Sequence, residues 1–131
     1  MRLAITFLVM SFAFAACEYV RFASREAVLT TPVDVARIER VLKDARPDAQ
    51  IMTRTPGDEV WVWVVAGEAT VQLHVEGSQV AMWTDFGGAD PAPELFECAM
   101  RLQSELASAL DAAGITRDLA TASVAKTNFG L

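Results

Sequence analysis

The chain has 131 residues, of which 53% are hydrophobic, and a formal net charge of −6. This length predicts a single domain that can bury a core without disulfides or metals. Between Thr55 and Asp111 there are ten acidic side chains and one basic one, Arg101. The charge balance argues against nucleic acid and anionic lipid headgroups as partners of that half, because both need positive charge to offset phosphate. A solvated acidic surface that resists aggregation accounts for the charge equally well.

The N-terminal residues predict an export signal. Met1-Arg2 is followed by an apolar run from Leu3 to Phe14 and then by Ala15-Ala16-Cys17. The run is shorter than the roughly twenty residues of a membrane-spanning helix. The segment resembles a bacterial lipoprotein signal peptide, in which small residues precede a lipidated cysteine, although Phe14 stands where that class commonly has leucine.

The resemblance implies that residues 1–16 are removed and that the mature chain begins at Cys17, carrying a diacylglyceryl group and a further acyl chain such as palmitate. In this class an aspartate after the cysteine marks retention at the inner membrane. Because Glu18 follows here, the resemblance implies anchoring in the outer membrane of a bacterial cell envelope, facing the periplasm. Loss of Arg2 leaves ten basic against seventeen acidic side chains in the mature chain.

A second interpretation of the N-terminus remains open. Ala13-Phe14-Ala15 also fits the small-x-small cleavage rule of soluble exported proteins. Cys17 then stays a thiol and can pair with Cys98 in an oxidising compartment. The alternative is therefore a soluble secreted binding or inhibitor domain with a Cys17 to Cys98 disulfide. In the lipoprotein case, Cys98 is expected to be a small, half-buried hydrophobe at the edge of a helix stripe.

The first predicted helix follows a segment, residues 17–30, that we interpret as the lipidated cysteine and a tether. An edge strand through Ala27-Val28-Leu29 is the open alternative for that segment. Thr31 is the predicted N-cap and Pro32 the first helical residue, and Pro47 stops the helix after about Arg46. Apolar residues recur on one side at helical spacing, which predicts one buried face. They are Val35, Ile38, Val41, Leu42 and Ala45.

The block from Ile51 to Thr84 predicts a four-stranded antiparallel meander. Turn signals at Thr55-Pro56-Gly57-Asp58, Gly67-Glu68 and Gly77-Ser78 separate four runs rich in β-branched and aromatic residues. If the last two turns are two-residue type II′ turns, counting outward from them fixes the register. One face is then aliphatic. Its expected pairs are Val60 with Val75, Val62 with Leu73, Val64 with Val71, Val75 with Val80, Leu73 with Met82, Ile51 with Val62, and Thr53 with Val60.

The opposite face of the predicted meander mixes three tryptophans with polar groups. Tryptophan is enriched at binding hot spots because it offers a large, rigid contact area with one polar handle. The candidate partner-binding residues are therefore Trp61, Trp63, Trp83, His74 and Gln72. Two alternatives remain open. The chain covers this face itself, through Tyr19, Val20 and Phe22 or the tail around Phe129, or two copies form a homodimer that packs sheet to sheet. The expected cross-strand rows are Trp63, Gln72 and Trp83; then Met52, Trp61, His74 and Ala81; then Arg54, Glu59, Glu76 and Gln79.

A second helix follows a glycine-containing loop. Asp90 is its predicted cap, Pro91 its first residue, and Gly114 lies just past its end. It carries a broad apolar stripe that must be buried on the sheet. Residues 116–131 lack a clear period and are expected to form a loosely held tail, so that residues 31–115 make up the folded domain.

Two amphipathic helices and one aliphatic sheet face predict a two-layer α+β sandwich in the order α-β-β-β-β-α, with both helices on one face of the meander. If Glu26 to Thr30 adds a strand, the order is similar to that of helix-grip domains. In those domains a long C-terminal helix packs on a curved antiparallel sheet.

The sequence gives little sign of catalysis. A metal site needs three or four ligands at suitable spacing, and no such cluster of His, Cys or carboxylates is predicted, so we expect neither a metal nor a cofactor. No nucleophile turn or phosphate-cradling glycine loop is present, and Asp85-Phe86-Gly87 matches only three letters of a kinase signature. His74 is the sole catalytic candidate, for a hydrolase. The sequence therefore favours a non-enzymatic binding or envelope-assembly module, held at the membrane by its lipid, with a protein or small-molecule partner and no nucleic acid.

Overall fold

A computed structural model of the chain describes residues 19–87 and 91–130, and the side chains of 22–87 and 91–126. The predictions for the signal peptide, Cys17, Asp90 and the side chains of Tyr19, Val20 and Phe129 lie outside these ranges. The described residues form an α+β fold. Its elements are β1 (Tyr19–Leu29), α1 (Val35–Ala45), β2 (Gln50–Arg54), β3 (Val60–Ala66), β4 (Ala69–Glu76), β5 (Gln79–Asp85), α2 (Pro93–Ala112), β6 (Thr116–Arg117) and β7 (Ala125–Gly130).

The strands form one sheet in the order β2-β3-β4-β5-β1, and β6 and β7 both pair with the far edge of β1. Every pairing is antiparallel. The predicted α+β class is confirmed. The predicted four-stranded meander and its α-β-β-β-β-α order match only the middle of the fold, because β1 precedes the first helix and β6 and β7 follow the second.

The predicted register of β3, β4 and β5 is confirmed. Val60 lies opposite Val75, and Val75 lies opposite Val80. Gly67 and Gly77 have φ of 63° and 62°, and the residues after them have negative φ, as type II′ turns require. The side chains of these strands alternate strictly between buried and half-buried positions, so one aliphatic face is buried.

The predicted register of β2 is wrong by two residues. Ile51 lies opposite Val64 and Thr53 opposite Val62. The turn falls one residue later than expected: the Glu59 N–H donates to the Pro56 carbonyl at 3.1 Å, and Gly57 has φ of 59°. Each residue of shift in a turn moves the register by two, which keeps every side chain on its face but changes its neighbours.

The two ends of the chain differ most from prediction. Residues 19–29, interpreted as a tether or an edge strand, form β1, an interior strand that pairs with β5 on one side and with β6 and β7 on the other. Residues 116–130, expected to be a loose tail, contribute β6 and β7. Buried Arg25 and small Ala23 occupy the core-facing positions of β1, so its sequence lacks the aliphatic alternation that identifies β3 and β4.

Both helices start later than predicted. Asp34, not Thr31, caps α1, and its carboxylate accepts the Arg37 N–H at 3.1 Å. Pro32 therefore lies in the connection before the helix. α2 begins at Pro93 rather than Pro91, after Ala92, whose side chain makes no capping bond. Gly114, with φ of 73°, follows the C-terminal end of α2 as predicted.

Both helices pack on the aliphatic face of the sheet, as predicted. Ile38 and Leu42 of α1 and Leu102, Leu106 and Leu110 of α2 are at most 1% exposed. They share one core cluster with the buried side chains of the central strands. This arrangement places the sheet between a helical layer on one side and the tryptophan-bearing face on the other.

A buried polar group joins β1 to α2. Gln103 is fully buried, and its Nε2 donates to the Ala23 carbonyl at 2.9 Å and to Thr84 Oγ1 at 3.1 Å. Its Oε1 accepts from Arg25 Nε at 3.0 Å, and Arg25 Nη1 donates to the Ala120 carbonyl at 3.0 Å. These bonds tie the first strand, the long helix and the segment after β6 together.

Candidate functional site

The structure brings all five candidate binding residues together on the sheet face that points away from the helices. Trp61 and Trp63 lie on β3, Gln72 and His74 on β4, and Trp83 on β5, and all five are half-buried. Gln72 lies opposite both Trp63 and Trp83, and His74 lies opposite Trp61. We call these five residues the Trp face. Within residues 19–87 and 91–130 no helix packs on it.

Trp61 is the centre of an aromatic cluster on the Trp face. Its ring stacks on His74, with 4.0 Å between centroids, and on Trp63, with 6.2 Å. Trp83 meets Trp61 edge-on at 5.8 Å and 88°. The pairs of tryptophans fall in the range of centroid separations that aromatic rings prefer. The rings therefore hold each other in fixed orientations before any partner binds.

The corrected register of β2 adds a residue to this surface. Met52 lies opposite Trp63, not in the row of Trp61 as expected, and is 48% exposed. Methionine is a flexible, polarisable contact residue that is common on binding surfaces. Sequence analysis found Met52 on this face but gave it no role, because its neighbours depend on where the first turn falls.

The alternative in which the chain covers its own Trp face stays a hypothesis, because the side chains of Tyr19, Val20 and Phe129 lie outside the described residues. Phe22 belongs to β1 and lies opposite Asp85, and because its neighbour Ala23 faces the core, Phe22 is on the same side of the sheet as the Trp face. The backbone of residues 19–21 continues the same strand. Sheet-to-sheet homodimerisation remains a hypothesis.

Glu59 joins the polar part of this face to the aromatic part. Its Oε1 accepts the Trp61 indole N–H at 3.0 Å and lies 3.0 Å from His74 Nε2. A ligand atom of Glu76 also lies close, and the atoms that Glu59, His74 and Glu76 offer to a metal are all within 4.8 Å of one another. We call these three residues the Glu-His-Glu cluster.

The expectation that the chain contains no cluster with metal-ligand chemistry is therefore wrong. Glu59 is distant in sequence from the other two residues and precedes β3. Pairing of Val60 with Val75 sets Glu59 beside His74 and Glu76, which are alternate residues of β4 and share its outer face. The predicted register already places Glu59 and Glu76 in one cross-strand row beside the row of His74, but without identifying the three residues as a metal site.

The depression found on the helical side of the fold is smaller than a usual small-molecule site. A depression near the start of α1 has an empty volume of about 180 Å³, part of which is open solvent. Small-molecule sites usually enclose roughly 300 Å³ or more. It is lined by Leu29, Thr31, Pro32, Val33, Asp34, Arg37, Ile38 and Ile115.

Cys98 is exposed on α2, which corrects the expectation that it is half-buried in the helix stripe. The next residue, Ala99, is fully buried, so the buried stripe of α2 passes beside Cys98 rather than through it. Its alternative disulfide partner, Cys17, lies outside the described residues. Neither helix in the described part of the chain is both long and apolar enough to cross a bilayer.

Comparison with known proteins does not assign the chain. No protein-family model matches it, and no curated protein sequence matches it. The functional argument therefore rests on the geometry of the Trp face and of the Glu-His-Glu cluster.

Proposed function

We propose that this protein is a non-enzymatic binding or envelope-assembly module that docks a protein partner on its Trp face. The observation that carries the proposal is a cluster of three interlocked, half-buried tryptophans beside an exposed methionine, on a sheet face without a helix in the described chain. Such a surface is broad and carries large aromatic side chains, which suits a protein rather than a small molecule.

The interlocked rings favour binding for an energetic reason. Ordering a free side chain on binding costs about 0.5 to 1.5 kcal/mol. Trp61 is already fixed by His74, Trp63 and Trp83, so little of that cost remains when a partner covers it. Gln72, between Trp63 and Trp83, supplies amide hydrogen bonds that select a partner with matching groups.

The proposal includes the lipid anchor and periplasm-facing outer-membrane location that the N-terminal resemblance implies. β1 begins at Tyr19, so a chain anchored at Cys17 has only Glu18 between the lipid and the sheet. One extended residue spans at most about 3.6 Å. An anchored domain would therefore sit directly against the membrane surface, without a tether. The alternative remains the soluble secreted domain with a Cys17 to Cys98 disulfide.

The docking proposal is tested by placing a photo-crosslinking residue at Met52 in a bacterial host. The matched control places it at Val33, a hydrophobic residue of similar exposure, 41%, just before α1. We expect Met52, but not Val33, to form a discrete adduct with an envelope protein. The adduct should disappear when Trp61 and Trp63 are replaced by Ala, while the variant still unfolds cooperatively.

Three outcomes would overturn the docking proposal. Equal labelling from Met52 and Val33 would show that the Trp face is not selective. A free energy of unfolding reduced by more than about 4 kcal/mol in the Trp61→Ala/Trp63→Ala variant, without any Met52 adduct, would assign the tryptophans to the fold alone. An adduct with a second copy of the chain would replace the docking proposal with a homodimer.

The anchor is tested by the intact mass of the protein from membrane and soluble fractions. We expect a membrane-bound species that begins at Cys17 and carries the added mass of a diacylglyceryl group and an acyl chain. Cys17→Ser should abolish that species. A soluble species that begins at Ala16 or Cys17 without added lipid would reject the anchor and direct attention to a Cys17 to Cys98 bond.

A further inference from the structure

The Glu-His-Glu cluster has the composition of a transition-metal site. It offers one imidazole nitrogen and two carboxylates, from β4 and from the residue before β3, with ligand atoms within 4.8 Å of one another. Zn²⁺ accepts this mixture of nitrogen and oxygen ligands, and three protein ligands leave a fourth position open. Mg²⁺ and Ca²⁺ prefer oxygen ligands in larger number. We propose that Glu59, His74 and Glu76 form a binding site for a divalent transition-metal ion, with Zn²⁺ as the best fit.

The backbone already supplies the convergence that such a site needs. His74 and Glu76 point to the same face of β4, and pairing of Val60 with Val75 sets Glu59 beside them. Ligand atoms around one tetrahedral Zn²⁺, at about 2.1 Å from the metal, lie roughly 3.4 Å apart. Glu59 Oε1 and His74 Nε2, at 3.0 Å, are near that separation, and the ligand atom of Glu76 lies within 4.8 Å of both.

A supporting set of contacts orients the ligands. Trp61 donates its indole N–H to Glu59 Oε1 at 3.0 Å and stacks on the His74 ring at 4.0 Å. Partners of this kind fix ligand orientation, and their loss typically weakens metal binding about 10- to 100-fold. The His74 and Glu59 side chains are only 15% and 17% exposed, which limits competition from water.

The local charge also favours a cation. A divalent ion between two carboxylates is attracted by both. The metal proposal does not rest on the docking proposal.

The proposal is tested by calorimetric titration of the untagged full chain, purified in detergent and stripped of metal with a chelator. Zn²⁺ should bind at one equivalent and raise the melting temperature, whereas Mg²⁺ should do neither. Co²⁺ in the same site should give visible absorption bands of a four- or five-coordinate ion. The exposed thiol is a competing ligand, so Cys98→Ser should bind Zn²⁺ as the wild type does.

Substitutions separate the cluster from other acidic groups. Glu76→Gln, which keeps side-chain size, should weaken Zn²⁺ binding by more than tenfold, and Trp61→Phe should weaken it by about tenfold. Glu68→Gln, in the exposed turn between β3 and β4, should leave binding unchanged. Circular dichroism without metal checks that each variant is folded. If substitution of His74 prevents folding, the Zn²⁺ affinity of Glu76→Gln alone tests whether the cluster binds the ion.

Absence of saturable Zn²⁺ binding up to millimolar concentration would overturn the metal proposal. Equal affinity in folded Glu76→Gln and wild-type protein would also overturn it, because the ion would then be bound elsewhere. Persistence of the Met52 adduct after chelation would show that docking stands without the metal, so failure of one proposal is distinguishable from failure of the other.

Discussion

Asp111, near the C-terminal end of α2, holds the segment that follows the helix. Its carboxylate accepts bonds from Thr116 Oγ1 at 2.6 Å, the Leu119 N–H at 3.0 Å and the Ala120 N–H at 2.9 Å. Partial burial raises the pKa of Asp111, but these three bonds outweigh it, so the pKa lies below its usual range. The ionised carboxylate therefore stabilises the fold.

We expect Asp111→Asn to lower the free energy of unfolding at pH 7 by about 1 to 3 kcal/mol, because an amide NH₂ group replaces one of the accepting oxygens. A depressed folded-state pKa gives stability that is complete above the unfolded-state pKa, about 3.9, and is lost as pH falls through the folded-state value. The difference between wild type and variant should therefore shrink below about pH 4. Urea unfolding between pH 7 and pH 2 measures it, with Asp44→Asn, the same substitution at an exposed position of α1, as the control.

The buried side chain of Gln103 also contributes to the free energy of unfolding, through its hydrogen bonds to β1 and β5. Burial lowers the pKa of Arg25, whose guanidinium is bonded to neutral groups, including Gln103. Gln103→Leu removes partners from Arg25, Thr84 and the Ala23 carbonyl, and should cost at least about 2 kcal/mol. Arg25→Met/Gln103→Leu should lose less than the sum of the two single variants. Strict additivity in urea unfolding would contradict this coupling.

The two helices differ in whether a side chain accepts a hydrogen bond from the free backbone N–H groups of the first turn. Asp34 caps α1 through the Arg37 N–H, whereas Ala92 leaves α2 without a side-chain cap. A capping side chain contributes about 1 kcal/mol. Asp34→Ala should therefore destabilise the protein by about that amount, and Ala92→Ser should stabilise it by a similar amount. Thermal and urea unfolding check both changes, and a destabilised Ala92→Ser variant would show that the start of α2 cannot accept a cap.

The whole sheet depends on β1, which joins the meander to the C-terminal strands. Its residues 22–28 pair with β5, and residues 19–24 pair with β7. Removing residues 125–131 exposes the edge of the first half of β1. We expect faster amide exchange at residues 19–24, with slower exchange retained in the meander, and self-association through the exposed edge.

Hydrogen exchange and sedimentation measure these effects, and removal of Leu131 alone provides the control. Unchanged exchange at residues 19–24 in the shortened chain would mean that β7 contributes nothing to the order of β1. Loss of exchange protection throughout the sheet would show that β7 is required for the fold as a whole.

The central fold was predictable because its signals are local. Type II′ turns at Gly67 and Gly77 and the alternation of aliphatic residues leave only one register that buries a face of β3, β4 and β5. The same alternation places Trp61, Trp63, Gln72, His74 and Trp83 on the opposite face. The apolar stripes of the helices require burial on the aliphatic side, so the two-layer arrangement also follows from the sequence.

Other features are decided only by tertiary structure. β1 has Arg25 at a core-facing position, and this residue is stable there because Gln103 and Ala120, distant in sequence, accept its bonds. The strand character of β7 likewise depends on the edge that β1 offers. Local sequence determined the meander and its two faces, since turn geometry and burial act over a few residues. Long-range hydrogen bonding and strand pairing decided the ends of the sheet, since their partners lie far apart in the chain.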